Sequence, residues 1–230
     1  MSRKTFSQEM QEVKNEVLLL GSMVEQAVTE SAQALKDNDL ERSRQVLQND
    51  VRINRKRFEI DISIIVLMAT QQPAARDLRK LAANLDICSE LERMGDYAKG
   101  IAKINIRSEG LSLPGILKNI YSMAEKAVDM LHHAMTTFAD EDLQAAKAII
   151  QDDDVIDQCY SKLYYEAVYS VLEDPRNIER ANYVIEVARH LERFGDRVTN
   201  ICERVIYIIT GERPEFSSVL QELNLSYHEN

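Results

Sequence analysis

Apolar side chains recur along this chain at alternating steps of three and four residues. One stretch carries them at Leu91, Met94, Ala98 and Ile101. A later stretch repeats the pattern at Val184, Val187, Leu191, Phe194, Val198, Ile201 and Val205. This spacing places the apolar residues on one face of an α-helix, which turns once every ~3.6 residues. The pattern therefore predicts long amphipathic helices.

Glycine, proline and aspartate mark where these helices begin and end. Pro73 and Pro175 separate helices, Gly110 and Gly211 follow helices, and Asp39 is a candidate N-cap, as is Asp140 or Asp142. We expect helices near residues 7–37, 39–72, 75–108, 115–138, 141–173 and 176–210, then an amphipathic tail near 216–226. Because the connections are short, neighbouring helices should run antiparallel.

The chain contains an internal duplication. The string LERMGD at Leu91–Asp96 returns as LERFGD at Leu191–Asp196, and the match of 23–28 with 123–128 has the same offset of 100. The segments that begin at residues 48 and 151 match at an offset of 103, which predicts three extra residues in the first turn of the second copy. The expected fold is all-α: two antiparallel three-helix bundles, 1–110 and 111–230, packed side by side.

The repeated motif has an energetic cost. Glutamate and aspartate four residues apart on a helix repel by ~0.2–0.5 kcal/mol, and a glycine inside a helix costs ~1 kcal/mol relative to alanine. Counting residues from the turns brings further acids to the height of the motif. The acids at this height are Glu25, Asp50, Glu92 and Asp96 in the first copy, and Glu125, Asp153, Asp157, Glu192 and Asp196 in the second.

Such a belt of carboxylates at the rim of a core would repel itself unless it bound a cation. Oxygen ligands suit hard cations without naming one, so iron, manganese, zinc and magnesium stay open. The second copy has the fuller set of acids, because Asn54 replaces one acid in the first. The alternative is that Arg93 and Arg193 neutralise ordinary surface acids, and that Gly95 only eases helix packing.

Composition restricts the class of protein. The net charge of −10 disfavours a nucleic-acid partner. No signal peptide is visible, and the apolar stretch from Ile62 to Ala75 is shorter than the ~20 residues that span a bilayer. Three widely separated cysteines indicate reduced thiols and a cytoplasmic protein.

Catalysis has little support in the sequence. There is no glycine-rich phosphate loop and no nucleophile–base constellation. The Glu-x-x-His spacing of carboxylate-bridged di-iron proteins is absent, and His132, His133, His190 and His228 are poor ligand candidates. We therefore expect a protein that is not an enzyme.

The motifs carry a resemblance to a known family. Arg76-Asp77-Leu78-Arg79 precedes LERMGDYA, and Arg176-Asn177-Ile178-Glu179 precedes LERFGDRV at matching spacing. Together with Gly21-Ser22-Met23-Val24-Glu25 in the first helix, they resemble the PhoU family of phosphate-transport regulatory proteins over nearly the whole chain.

The resemblance implies a cytoplasmic, non-enzymatic regulator of phosphate homeostasis. Such a protein links the phosphate-specific ABC transporter, on its cytoplasmic ATPase side, to a sensor histidine kinase and represses the phosphate-starvation response. We also expect a homodimer that reaches the membrane only through its partners. The resemblance further implies a multinuclear metal site, iron first, at Glu92/Asp96 and Glu192/Asp196. The alternatives are a metal-free helical scaffold and a carboxylate-bridged metal-storage or oxidase protein.

Overall fold

Every regular element in the described part of the chain is helical. The structure, a computed structural model, describes residues 3–111, 114–151 and 154–212. The first repeat contains α1 (Arg3–Asp37), α2 (Leu40–Gln71) and α3 (Ala75–Arg107). The second contains α4 (Pro114–Asp140), α5 (Leu143–Gln151), α6 (Asp154–Glu173) and α7 (Ile178–Thr210), with a 3-10 turn at Pro175–Asn177. The prediction of an all-α fold is confirmed.

Two expected elements need comment. The helix predicted over 141–173 is described as α5 and α6, and residues 152–153 between them lie outside the described ranges. The amphipathic tail predicted near 216–226 also lies outside them. The other predicted helices are present, with ends that differ from the prediction by a few residues.

Equivalent turns connect the first two helices of each repeat. The Asp39 carboxylate accepts a hydrogen bond from the Arg42 backbone N–H at 2.9 Å. Asp142 accepts from the backbone N–H groups of Gln144 and Ala145 at 2.9 and 3.0 Å. Both predicted caps are confirmed. The sequence predicts that the three extra residues of the second repeat lie in this turn, and this prediction is wrong. The two turns have the same length, so the extra residues lengthen α4 instead.

The two repeats pack side by side through two antiparallel helix pairs. Helix α3 lies along α7, and α1 lies along α4. The Tyr97 and His190 rings lie 5.9 Å apart. Arg197 is the equivalent of Tyr97 and Glu90 is the equivalent of His190, and these two residues form an ion pair at 3.2 Å. This exchange of equivalent positions is the pattern of a two-fold interface, here within one chain.

One continuous apolar core joins the repeats. The stripe predicted on the third helices is buried: Leu91, Met94, Ala98 and Ile101 are each at most 1% exposed. Its equivalent on α7 is buried in the same way, with Phe194 fully enclosed. No helix in the described ranges is both long enough and apolar enough to cross a membrane.

Candidate functional site

The repeated motif occupies equivalent places on α3 and α7, where each helix meets the second helix of its own repeat. A Cβ atom on Gly95 would lie 3.2 Å from Ile53 Cγ2, and one on Gly195 would lie 3.2 Å from Ile156 Cγ2. These distances are tighter than ordinary van der Waals contact. The glycines therefore permit a close approach of the neighbouring helix.

In the first repeat, a lysine lies between the predicted acids. Asp50, on α2, is only 4% exposed. Lys99, on α3, donates from its Nζ to Asp50 Oδ2 at 2.6 Å, and the same Nζ lies 3.5 Å from Asp96 Oδ1. Asn54 Nδ2 also donates to Asp50 Oδ2, at 3.3 Å. The hydrogen bond to Asp50 raises the pKa of Lys99. The ammonium group thus pairs with both acids and reduces the negative charge of the site.

The second repeat has no lysine at this position. Thr199 is the equivalent of Lys99, and its hydroxyl donates to the Asp196 backbone carbonyl at 2.7 Å. Burial, and then the charges of Asp196 and Asp157, raise the pKa of Glu192. Burial, with the charge of Asp157, also raises the pKa of Asp196. Negative charge is therefore less fully compensated here than in the first repeat.

Nearby arginines reduce this charge only in part. Arg197 opposes the rise in the Asp196 pKa, and Arg193 opposes the rise in the Glu192 pKa. The Arg197 guanidinium also binds Glu90 of α3 at 3.2 Å, so it is shared between two carboxylates. Since both acid pKa values remain raised, the arginines do not cancel the effect of burial and repulsion.

Both repeats offer carboxylate oxygens to a hard cation, and the second differs from the first in having Thr199 where the first has Lys99. Carboxylate oxygens are the ligands such ions prefer, and Lys99 already supplies positive charge in the first repeat. Within the described residues, no group of three or more histidine, cysteine, aspartate or glutamate side chains could hold a metal ion. Asp153, which the sequence predicts as a further ligand, lies outside those residues.

The two acids predicted on the first helices lie at the contact between repeats. Glu25 Oε1 is 3.4 Å from Nδ1 of His132 on α4. Glu125 is exposed and lines a groove together with Thr29 and Ala32 of α1. Asp50, Asp96 and Lys99 instead meet between α2 and α3. The contacts of Glu25 and Glu125 in the described structure are therefore with the opposite repeat.

Lys99 is the functional residue that the sequence reasoning missed. Arg93, which the sequence offers as a neutralising group, is exposed. A comparison of the two repeats three positions after the motif would have shown lysine in one and threonine in the other. This difference, together with Asn54 in place of Asp157, leaves the first site with less negative charge than the second.

The fold and site define a class: a duplicated three-helix bundle in which each third helix carries a Glu-x-x-x-Asp motif beside a close helix contact. The family model of the PhoU domain matches residues 17–104 and 120–205. The chain therefore belongs to the PhoU family.

Relatives cover most of the chain. The phosphate-specific transport system accessory protein PhoU homolog of Clostridium acetobutylicum is 33% identical over 94% of this chain and 100% of its own length. The accessory protein PhoU of Escherichia coli is 30% identical over 90% of this chain and 86% of its own.

Two crystal structures show the same fold. The phosphate transport system regulatory protein PhoU from Streptococcus pneumoniae matches with a TM-score of 0.82 and 31% identity, over 90% of this chain and 98% of that one. PhoU from Pseudomonas aeruginosa matches with a TM-score of 0.82 and 34% identity, over 90% of this chain and 100% of that one.

Proposed function

We propose that this protein is a non-enzymatic, cytoplasmic regulator of phosphate homeostasis. It acts as an adaptor between the ATPase side of a phosphate-specific ABC transporter and a sensor histidine kinase, represses the phosphate-starvation response and modulates phosphate uptake. The observation that carries the proposal is the double match to the PhoU domain, one match in each repeat. The names of the relatives support the link to phosphate transport.

The chemistry of the described residues favours a regulator over an enzyme. Two of the three cysteines, Cys88 and Cys202, are buried. Burial raises the pKa of Cys202 to about 12, so this thiol is a poor nucleophile at neutral pH. His190 is half-buried, and burial lowers its pKa. None of these groups has the exposed, activated character of a catalytic side chain.

The proposal includes a metal ion in the second repeat, with iron first and manganese, zinc or magnesium as other candidates. Glu192 and Asp196 of α7, with Asp157 of α6 and Asp153, would hold it. A bound cation would neutralise carboxylates whose pKa values burial and mutual repulsion raise. A metal-free helical scaffold is the second candidate. It is favoured by the lack, in the described residues, of a cluster that could hold a metal.

A homodimer is also part of the proposal. Helix α6 exposes Tyr165, Tyr169 and Leu172, the last 72% exposed, and such a stripe offers a surface for a second copy. Sedimentation velocity would report a dimer for the natural chain and a monomer after Tyr165→Asp with Leu172→Asp. A natural chain that sediments as a monomer at high concentration would remove this part of the proposal.

Deletion of the gene tests the regulatory role. We expect a phosphate-starvation reporter to become active in phosphate-rich medium, and phosphate uptake to change. A plasmid copy of the natural chain should restore both. Deletion of the sensor kinase in the same strain should silence the reporter while leaving the change in uptake. Deletion of the gene with neither reporter nor uptake altered would contradict the proposed function.

A further inference from the structure

A groove with acidic edges runs between α1 and α2 on the first repeat. We call it the acidic groove, a cleft of about 530 Å³ lined by Glu9, Glu12 and Glu16 of α1 and Glu59 of α2. Ile60 and Leu67 of α2 line it as well. Both are core side chains, less than 10% exposed. The cleft thus combines an apolar floor with carboxylates from both helices.

Exposed apolar side chains extend the floor along α2. Val66 lines the groove and is 53% exposed. Ile62 and Ile65 are 45% and 53% exposed, and Phe58 is 64% exposed. Their spacing places them on one side of the helix, next to the groove. Single exposed apolar residues are common, but a contiguous strip of this kind marks an interaction surface.

The carboxylates of the groove are only partly neutralised. Lys56 Nζ lies 2.8 Å from Glu16 and 3.6 Å from Glu59, and Arg55 Nε lies 3.1 Å from Glu59, so these two acids have cationic partners. Glu9 accepts a hydrogen bond from the neutral amide of Gln71 at 3.3 Å. No cation in the described part of the chain is paired with Glu12. The groove therefore retains the negative charge of Glu9 and Glu12.

We propose that the acidic groove binds an amphipathic helix of a partner protein, one with lysine or arginine on both sides of an apolar face. The apolar face would lie on Ile60, Leu67 and Val66, and the cations would meet the glutamates. This is the helix-in-groove mode of recognition, and the complementary charge fixes the orientation and increases the association rate.

Charge argues against the other occupants of this surface. The segment 213–230 carries Glu215, Glu222 and Glu229 against one arginine, so this chain's own tail would be repelled. A membrane surface rich in anionic lipid is repelled in the same way. A basic helix remains the complementary partner.

The second repeat provides an internal comparison. Helix α6 has exposed apolar side chains at the equivalent positions, among them Tyr165, Val168 and Tyr169. However, Lys162 stands where the first repeat has Glu59, and Ile116 stands where it has Glu16. The apolar strip is thus present in both repeats, whereas these two acidic positions of the groove belong to the first. A basic helix should bind one side of the molecule only.

Binding of a synthetic peptide tests this proposal independently of the role in phosphate regulation. The probe is a fluorescent peptide of about 18 residues, long enough to form a helix, with leucine at heptad positions a and d and lysine elsewhere. Fluorescence anisotropy with the full chain in about 0.1 M salt measures its affinity. A peptide with glutamate in place of lysine is the control, and we expect it not to bind.

Two pairs of variants separate the groove from the rest of the acidic surface. A triple variant of the groove should weaken peptide binding about tenfold or more. It combines Glu9→Gln, Glu12→Gln and Glu16→Gln. A control triple variant with the same change in charge at exposed positions elsewhere should leave peptide binding nearly unchanged. It combines Asp129→Asn, Glu173→Gln and Glu179→Gln. Val66→Asp should abolish tight binding, whereas the equivalent Tyr169→Asp should not.

Each contrary result overturns the proposal in a distinct way. Equal weakening by both sets of neutral variants would mean general attraction to an acidic protein. Equal binding of the glutamate peptide would mean apolar contact without charge recognition. Loss of a dimer in Val66→Asp, seen by sedimentation velocity, would assign the surface to a second copy. Stronger binding to phosphatidylserine vesicles than to the lysine peptide would assign it to a membrane.

Discussion

At the scale of single residues, the position three residues after the motif contributes most visibly to the chemical difference between the two repeats. Lys99 holds the buried Asp50 and the neighbouring Asp96 in the first repeat, and Thr199 stands at the equivalent position in the second. The sequence predicted that acids from two helices would meet at this height. It did not predict the lysine contact, because lysine on a helix surface is common and its long side chain can reach several partners.

Removal of the lysine should destabilise the first repeat. Lys99→Met leaves the Asp50 carboxylate buried without its counter-charge, which should lower the free energy of unfolding by about 3 kcal/mol. Urea unfolding measures this. Asp50→Asn in the same chain should recover most of the loss. The matched control is Lys103→Met one turn later, where the lysine is exposed, with a change within about 0.5 kcal/mol. Equal effects of the two methionine variants would contradict the role given to Lys99.

Substitution of Thr199 by lysine should give the second repeat the chemistry of the first. Thr199→Lys places an ammonium group near Asp196, three residues away on the same helix. We expect bound metal to be lost and the metal-free protein to become more resistant to heat. Thr199→Val, of similar size and without charge, should keep its metal. Equilibrium dialysis measures the metal, and undiminished metal binding by Thr199→Lys would count against the site.

The stability of the metal-free protein should depend on the protonation of Glu192 and Asp196. The pKa of each is raised in the folded chain, so the folded state takes up these protons at a higher pH than the unfolded state. Protonation therefore stabilises the fold, and this gain is lost as the pH rises through the raised pKa values.

The glutamine and asparagine variant isolates this effect. Glu192→Gln with Asp196→Asn should be more stable than the natural chain at about pH 7, and the difference should shrink as the pH falls towards about 4. Urea unfolding with a chelator at several pH values measures it. Other groups, such as Glu141 with its lowered pKa, affect both proteins alike. A difference that does not vary with pH would contradict the assignment.

At the scale of helices, periodicity predicted the elements and their buried faces well. The stripes on α3 and α7 are buried because a step of three and four residues maps directly onto one helix face. The position of the three extra residues could not be read in the same way. The offset changes somewhere between residues 128 and 151, an interval that contains the end of α4 as well as the turn.

Contact between α3 and α7 depends on a small residue facing a large one. A Cβ atom on Gly100 would lie 2.6 Å from Nε2 of His190. Gly100→Ala should therefore cost about 1–3 kcal/mol through overpacking, more than the ~1 kcal/mol that alanine adds to a helix. In a His190→Ala background the same change should become neutral or stabilising. The control is Gly115→Ala, where the added atom meets nothing within 4 Å.

A double-mutant cycle measures this coupling by urea unfolding. Gly100→Ala and His190→Ala should give a coupling energy of about 1 kcal/mol or more, since they share one contact. Strictly additive effects would show that the helices do not meet there as the structure describes.

At the scale of the whole molecule, duplication explains the architecture. The sequence predicted two bundles side by side, and the structure adds that they share one core and exchange equivalent contacts across α3 and α7. Pairs such as Gly100 with His190 and Asn200 with Glu90 join positions far apart in the chain. Such pairs leave no periodic signal, so they could not be read from the sequence.

The duplication also leaves the two repeats with different chemistry. Both repeats keep the motif and the close glycine contact, but the first pairs two of its acids with Lys99 and has the acidic groove. The second keeps carboxylates with raised pKa values. We propose that only the second repeat takes its cation from solution.

Elemental analysis of the purified protein tests this claim most directly. The natural chain should retain metal after gel filtration, and Glu192→Gln with Asp196→Asn should lose it. The matched change in the first repeat, Glu92→Gln with Asp96→Asn, should leave the metal content as it is in the natural chain. Metal that persists in the second-repeat variant, or that disappears with the first-repeat variant instead, would contradict the account.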